Sequence, residues 1–134
     1  MNQQRLQLIE AARAVCGDLK LREDFSAGGV GAAIRTANGH IYTGVCLELA
    51  CGLGFCAEVA AMAEMVKNGE TCIVAMVAVS GETILPPCGR CRETAAQLDA
   101  RNLDCQIIVS QDQDVSLRDL LPRHWLDVKK KSGK

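Results

Sequence analysis

Leu6, Ile9, Ala12 and Ala14 recur near helical spacing between Gln3 and Cys16 and stop at Gly17-Asp18, so the chain opens on a predicted amphipathic helix. Two extended runs follow, Val30 to Thr36 and Ile41 to Leu49, with Ala37-Asn38-Gly39-His40 between them. Asn-Gly between such runs predicts a hairpin, because both residues tolerate positive φ. Cys56 to Lys67 is rich in Ala, Glu and Met and ends at Asn68-Gly69, a helix with a glycine-type stop. Thr71 to Ser80 is a continuous apolar run of strand length, as expected of a strand covered on both faces. A further helix is predicted from Cys88 to about Ala100, a buried strand from Cys105 to Ser110, and one or two helical turns from Ser116 to Leu121, ended before Pro122. That order implies a mixed sheet with helices on its faces and parallel, right-handed strand-helix-strand crossovers. No repeat, linker or low-complexity stretch interrupts it.

At 134 residues the chain is one domain. We place it at residues 1–128, with 129–134 as a basic, disordered tail. Apolar residues make up 49% and aromatics 3%, and Ala, Val and Leu dominate, which suits interleaved helices and strands. A formal charge of -1 provides no electrostatic footprint for nucleic acid or a membrane surface. No apolar run approaches the roughly 20 residues of a bilayer span. The N-terminus lacks the basic-then-apolar order of a secretory leader, so a cytoplasmic location is expected. Thiols stay reduced there, and the 8 cysteines favour metal ligation and burial over disulfides.

The chemistry is carried by Cys56-Ala57-Glu58 and, some thirty residues on, Pro86-Pro87-Cys88-Gly89-Arg90-Cys91. Three thiols at this spacing can hold a zinc ion and leave one coordination position open, the layout of a catalytic rather than a structural site. Each motif falls at a predicted helix N-terminus, where the dipole favours thiolate and carboxylate. Cys88 and Cys91, three apart, can reach one ion together. Glu58 suits a proton shuttle between the zinc water and a leaving group. Three thiolates leave the site with a net negative charge, so one of Arg90 and Arg92 is expected to hydrogen-bond the sulfurs and offset it. Two rivals stand beside this reading. A closed four-thiolate site that adds Cys51 would be a non-catalytic structural zinc domain. Cys88-Gly89-Arg90-Cys91 alone could be a thioredoxin-type dithiol, which leaves Cys-Ala-Glu unexplained. Cys72 and Cys105 read as core thiols and Cys16 as the close of a helix.

These motifs resemble the cytidine deaminase family along nearly the whole chain. Phe25-Ser26 with Val30-Gly31-Ala32-Ala33-Ile34 is similar to its first strand, and Gly39 to Gly44 to its hairpin. Cys56-Ala57-Glu58 and Pro87-Cys88-Gly89-Arg90-Cys91-Arg92 resemble its two zinc motifs, and Asp119-Leu120-Leu121-Pro122 its closing segment. Cysteine as first ligand resembles the small homotetrameric branch, and Cys-Gly-Arg-Cys-Arg its blasticidin S deaminase type. The resemblance implies a single-domain α/β/α sandwich with a mixed five-stranded sheet. It implies Zn2+ on Cys56, Cys88 and Cys91, with hydrolytic deamination at C4 of a cytosine nucleoside and Glu58 as general acid/base. It places the Ala57 N–H on the pyrimidine O2, Glu48 on a sugar hydroxyl, and Trp125 or His124 against a base, often that of a neighbouring subunit. The chain departs from the family where Cys46-Leu47-Glu48 replaces Asn-x-Glu, where Val59 replaces an arginine, and where the first strand lacks an aromatic near Gly29.

Overall fold

The computed structural model describes residues 2–127; the basic tail expected at 129–134 lies outside them. Asn2 caps the first helix, α1 (Gln3–Val15), by accepting the N–H groups of Gln4 and Arg5 on its side chain. The chain then forms β1 (Leu19–Arg22), β2 (Phe25–Thr36) and β3 (Ile41–Glu48). The turn between β2 and β3 is the predicted Asn-Gly hairpin, with Gly39 at φ 87°. Next come α2 (Ala57–Lys67), β4 (Ile73–Ser80), β5 (Thr83–Leu85), α3 (Gly89–Leu98), β6 (Gln106–Ser110), β7 (Gln113–Ser116) and α4 (Leu117–Leu120).

Among the described residues the sheet has 7 strands, along the path β1-β2-β4-β6-β7, with β3 joined to β2 and β5 to β4. The five-stranded expectation is therefore corrected upward. The strands that no pattern announced, β1, β5 and β7, are three or four residues long and bury none of their residues fully. So short a run carries too few alternations to register as a strand. The sheet is mixed, as expected: β4 and β6 pair in parallel around α3, and the other pairings are antiparallel.

Period-two alternation along the central strands feeds two cores. Ala33 of β2, Val77 and Val79 of β4 and Ile108 of β6 face α1 with its Leu8, Ile9 and Ala12. Ile34, Met76 and Ile107, one residue out of phase, pack with Ala61, Met62 and Met65 of α2 and Ala95 and Ala96 of α3. Helices thus cover both faces, an α/β/α sandwich. Gly44 of β3 lets α2 seat closely, since a Cβ there would stand 2.4 Å from the Ala61 nitrogen and 2.7 Å from the Ala57 oxygen. That seating fixes the N-terminal end of α2, where the chemistry lies.

Candidate active site

The first zinc motif starts α2 and the second starts α3, as the sequence predicts, with a refinement at each boundary. Cys56 and Cys88 are the N-cap residues, in extended backbone just outside their helices. Neither side chain caps its own helix, so both thiols are free to turn toward the neighbouring motif. Cys91, in the first turn of α3, is fully buried, and Glu58, in the first turn of α2, is 5% exposed.

The Sγ atoms of Cys56, Cys88 and Cys91 all lie within 4.8 Å of one another. Cys56 Sγ is 3.1 Å from Cys88 Sγ, and Cys88 Sγ is 3.5 Å from Cys91 Sγ. A tetrahedral zinc with Zn–S bonds of about 2.3 Å spaces its sulfurs by about 3.8 Å, so the three residues fit that ion with small adjustments. Among the described residues no fourth metal-ligating side chain joins the cluster, and Cys51 stays outside it. Glu58 Oε1 sits 3.5 Å from Cys91 Sγ, beside the sulfurs rather than among them.

Burial pushes the Cys91 thiol far up, helped by the negative charge of Glu58. Burial also raises Cys56, with a hydrogen bond to Cys88 adding to it. At Cys88 burial acts upward too, but hydrogen bonds from Cys56 and from the backbone at Cys91 and Arg90 bring it below its ordinary value. Metal binding requires these thiols as thiolates, so a divalent ion would hold all three in that form. Burial raises the Glu58 carboxyl above the usual range, which suits a group that must take up and release a proton near neutral pH.

Neither arginine donates to a sulfur. Arg90 Nη1 donates to the Gly54 carbonyl at 3.3 Å, while Arg92 donates to Pro87 O at 2.9 Å and to Leu120 O at 3.0 Å. Helix phase keeps both from Cys91, the ligand inside α3: Arg90 and Arg92 are its immediate neighbours and leave on other faces. Both guanidiniums instead tie down the loops that carry ligands, Gly54 lying two residues before Cys56 and Pro87 one before Cys88.

A cavity of about 390 Å³ opens over the cluster, with Glu58, Ala57, Cys56 and Cys88 at one end and Glu48 and Cys46 on the β3 side. Glu48 Oε1 accepts a hydrogen bond from Ser26 Oγ at 3.1 Å. Cys46 is buried, and its sulfur accepts the Val30 N–H at 3.3 Å. Trp125 is not on the cavity wall; it is 67% exposed, and its backbone N–H donates to the Glu93 carboxylate of α3. The sequence reading missed Phe55, Leu85 and Pro86 as wall residues. The only available signal for the last two was the Pro86-Pro87 pair, which steers β5 into the second motif. Ser26 gave none, because its meaning depends on its cross-strand partner: it stands opposite Glu48 in the ladder.

The geometry is that of a shallow pocket above a three-thiolate ion site with a buried carboxylate at its edge, and comparison with known proteins places it. Residues 3–106 match the family model described as the cytidine and deoxycytidylate deaminase zinc-binding region. The chain belongs to that family. It is 32% identical to the blasticidin-S deaminase of Bacillus cereus over 135 residues, covering 91% of this chain and 92% of that one. It is 33% identical to a cytidine deaminase of Mycobacterium tuberculosis over 100 residues, 73% of each chain. The crystal structure of the M. tuberculosis cytidine deaminase superimposes with a TM-score of 0.77 at 28% identity, covering 92% of this chain and 98% of that chain. The cytidine deaminase of Burkholderia pseudomallei gives a TM-score of 0.69 at 29% identity, covering 93% and 100%. This family member is accordingly a zinc-dependent hydrolase of the deaminase type.

Proposed function

We propose that the protein hydrolytically deaminates a free cytosine nucleoside, cytidine or deoxycytidine or an analogue, to the uracil nucleoside and ammonia. The observation that carries this reading is the placement of Glu58: a buried carboxyl within reach of the sulfur cluster and on the wall of a cavity large enough for a base and part of a sugar. Cys56, Cys88 and Cys91 hold the zinc. When bound, the ion supplies a water whose pKa is lowered toward neutrality.

The other roles belong to the protein's own atoms. Glu58 accepts a proton at the cluster, passes it to the ring N3, and delivers one to the amine that leaves C4. The Ala57 N–H, at the free start of α2, donates to the base O2. Glu48 accepts from a sugar hydroxyl, and Ser26 holds its other oxygen. Arg90 and Arg92 keep the ligand loops in place. Ala57, fully buried, and the apolar wall exclude bulk water from the reacting end.

Similarity to the blasticidin-S deaminase over nine-tenths of both chains favours a second reading, inactivation of a cytosine nucleoside antibiotic. We further propose a cytoplasmic, homotetrameric enzyme in which Trp125, exposed in one chain, covers the cavity of a neighbour. None of the described helices is long and apolar enough to cross a membrane. The proposed partner is a small molecule, with no role for nucleic acid or a membrane.

The test is an ammonia-release assay on zinc-loaded protein over cytosine, cytidine, deoxycytidine, dCMP, blasticidin S and N4-substituted cytidines. Turnover of a nucleoside with none of dCMP supports the reading. Stoichiometric zinc without turnover of any cytosine compound returns the chain to a structural zinc domain.

A further inference from the structure

The wall of the cavity away from the metal ligands carries few hydrogen-bonding side chains. Among the described residues, apart from Cys56, Glu58 and Cys88 at the reacting end, only Cys46 and Glu48 bring polar side chains to it. Cys46 is not free to serve a ligand well. The β2–β3 ladder pairs Ala27 with Leu47 and then Gly31 with Val45, so one residue, Cys46, stands opposite three, Gly28 to Val30. This is a bulge of the kind that re-aims a strand beside a binding site. The Cys46 sulfur turns into the bulge and accepts the Val30 N–H, and Val30 and Cys46 both line the cavity. What the thiol still offers is one weak S–H donor. Glu48, with one oxygen engaged by Ser26, offers acceptors only.

We propose that Cys46 is a specificity-determining residue: by plugging the β2 bulge it leaves the sugar end of the cavity with one strong side-chain contact, the acceptor-only Glu48, so the enzyme selects cytosine nucleosides by their base and discriminates weakly among sugars. This rests on the reading of the cavity as a nucleoside site. The substrate class it names is cytosine nucleosides with altered or hydroxyl-poor sugars, alongside the ribose form. A ribose oxygen that needs a side-chain donor finds only the weak Cys46 S–H on this wall, so an additional hydroxyl brings little gain in binding.

The experiment is kcat/KM for cytidine, 2′-deoxycytidine and 2′,3′-dideoxycytidine with the zinc-loaded wild type, Cys46→Asn and Cys46→Ser. An asparagine can accept the Val30 N–H on its amide oxygen and turn its NH2 toward the ligand. The wild type should spread over less than about tenfold across the three nucleosides, the size of one weak contact. Cys46→Asn should raise kcat/KM for cytidine about fivefold or more, through KM, with no gain for the dideoxy compound. Cys46→Ser should move the same way by less, and it guards against misfolding of the larger substitution. A wild type that separates the sugars a hundredfold overturns the proposal. So does an equal gain on all three nucleosides, or no gain in either variant when both keep a native melting transition. Failure of the wild type to deaminate any of the three is a different result: it removes the nucleoside reading itself, and the proposal with it.

Discussion

The proton-shuttle role proposed for Glu58 asks two things of one residue: burial that raises its carboxyl and closeness to the sulfurs, with Oε1 3.5 Å from Cys91 Sγ. Replacing it with glutamine keeps the size and some hydrogen bonding but removes the proton. Glu58→Gln is expected to bind zinc at the wild-type ratio and to lose turnover by at least about a hundredfold, the usual scale for general acid–base help; metal content and ammonia release on the same sample check both halves. Its place beside the sulfurs was legible in the chain because Cys-x-Glu at a helix start states distance and direction together. The roles of Arg90 and Arg92 were only partly so. Their closeness in sequence to Cys88 and Cys91 suggested contact with the sulfurs, but helix phase turns them onto the Gly54, Pro87 and Leu120 carbonyls.

At the scale of elements, the site depends on how two helices are seated on one sheet. Gly44 is the contact point for α2. Gly44→Ala forces a methyl into backbone atoms of the first turn and a half of the helix that carries Glu58 and follows Cys56. Such overpacking costs about 1–3 kcal/mol, and the displaced helix should also weaken zinc binding; thermal melting and a chelator competition measure the two effects separately. Asn102 plays the matching part at the far end of α3. Fully buried, it donates to Thr71 O at 3.0 Å and Ala95 O at 2.9 Å and accepts the Ile73 N–H at 2.7 Å. It thereby locks the end of α3 to the start of β4. Asn102→Leu keeps the volume and strands all three groups, so a loss of about 3 kcal/mol or more is expected from urea unfolding. No local pattern marks this asparagine: all its partners lie on other elements.

For the molecule as a whole, one charged cluster ties the hairpin to the connection between α2 and β4. Glu70 accepts from His40 at 2.6 Å, Tyr42 at 2.7 Å and Asn38 at 3.1 Å. The Tyr42 hydroxyl, with help from Thr36 and His40, holds its carboxyl down at about 2, and the same bond to Glu70 raises Tyr42 to about 12. A carboxyl lowered on folding stabilises the native state above its unfolded value of about 4.3, and that contribution disappears as pH falls toward 2. The wild type should therefore melt above Glu70→Gln at pH 6, and the gap should close progressively below pH 4; a gap that does not change with pH would show that the ionised form contributes nothing. Tyr42 acts at the opposite end of the scale, where stability falls as pH rises from about 10 to about 12.

The chain by itself determined the elements that have long periodic patterns, the hairpin at Asn38-Gly39, and the ion site, because ligand spacing and helix-start position are local properties. It did not reveal the short strands β1, β5 and β7, whose few residues, none fully buried, pair only because a neighbouring strand is already in place. Nor did it reveal that Ser26 faces Glu48, that Cys46 fills a bulge opposite Val30, or that Asn102 bridges α3 and β4. Those pairings follow from strand register and helix seating, which are set by burial over the whole sheet, and so only the tertiary structure decided what kind of cavity surrounds the zinc motif.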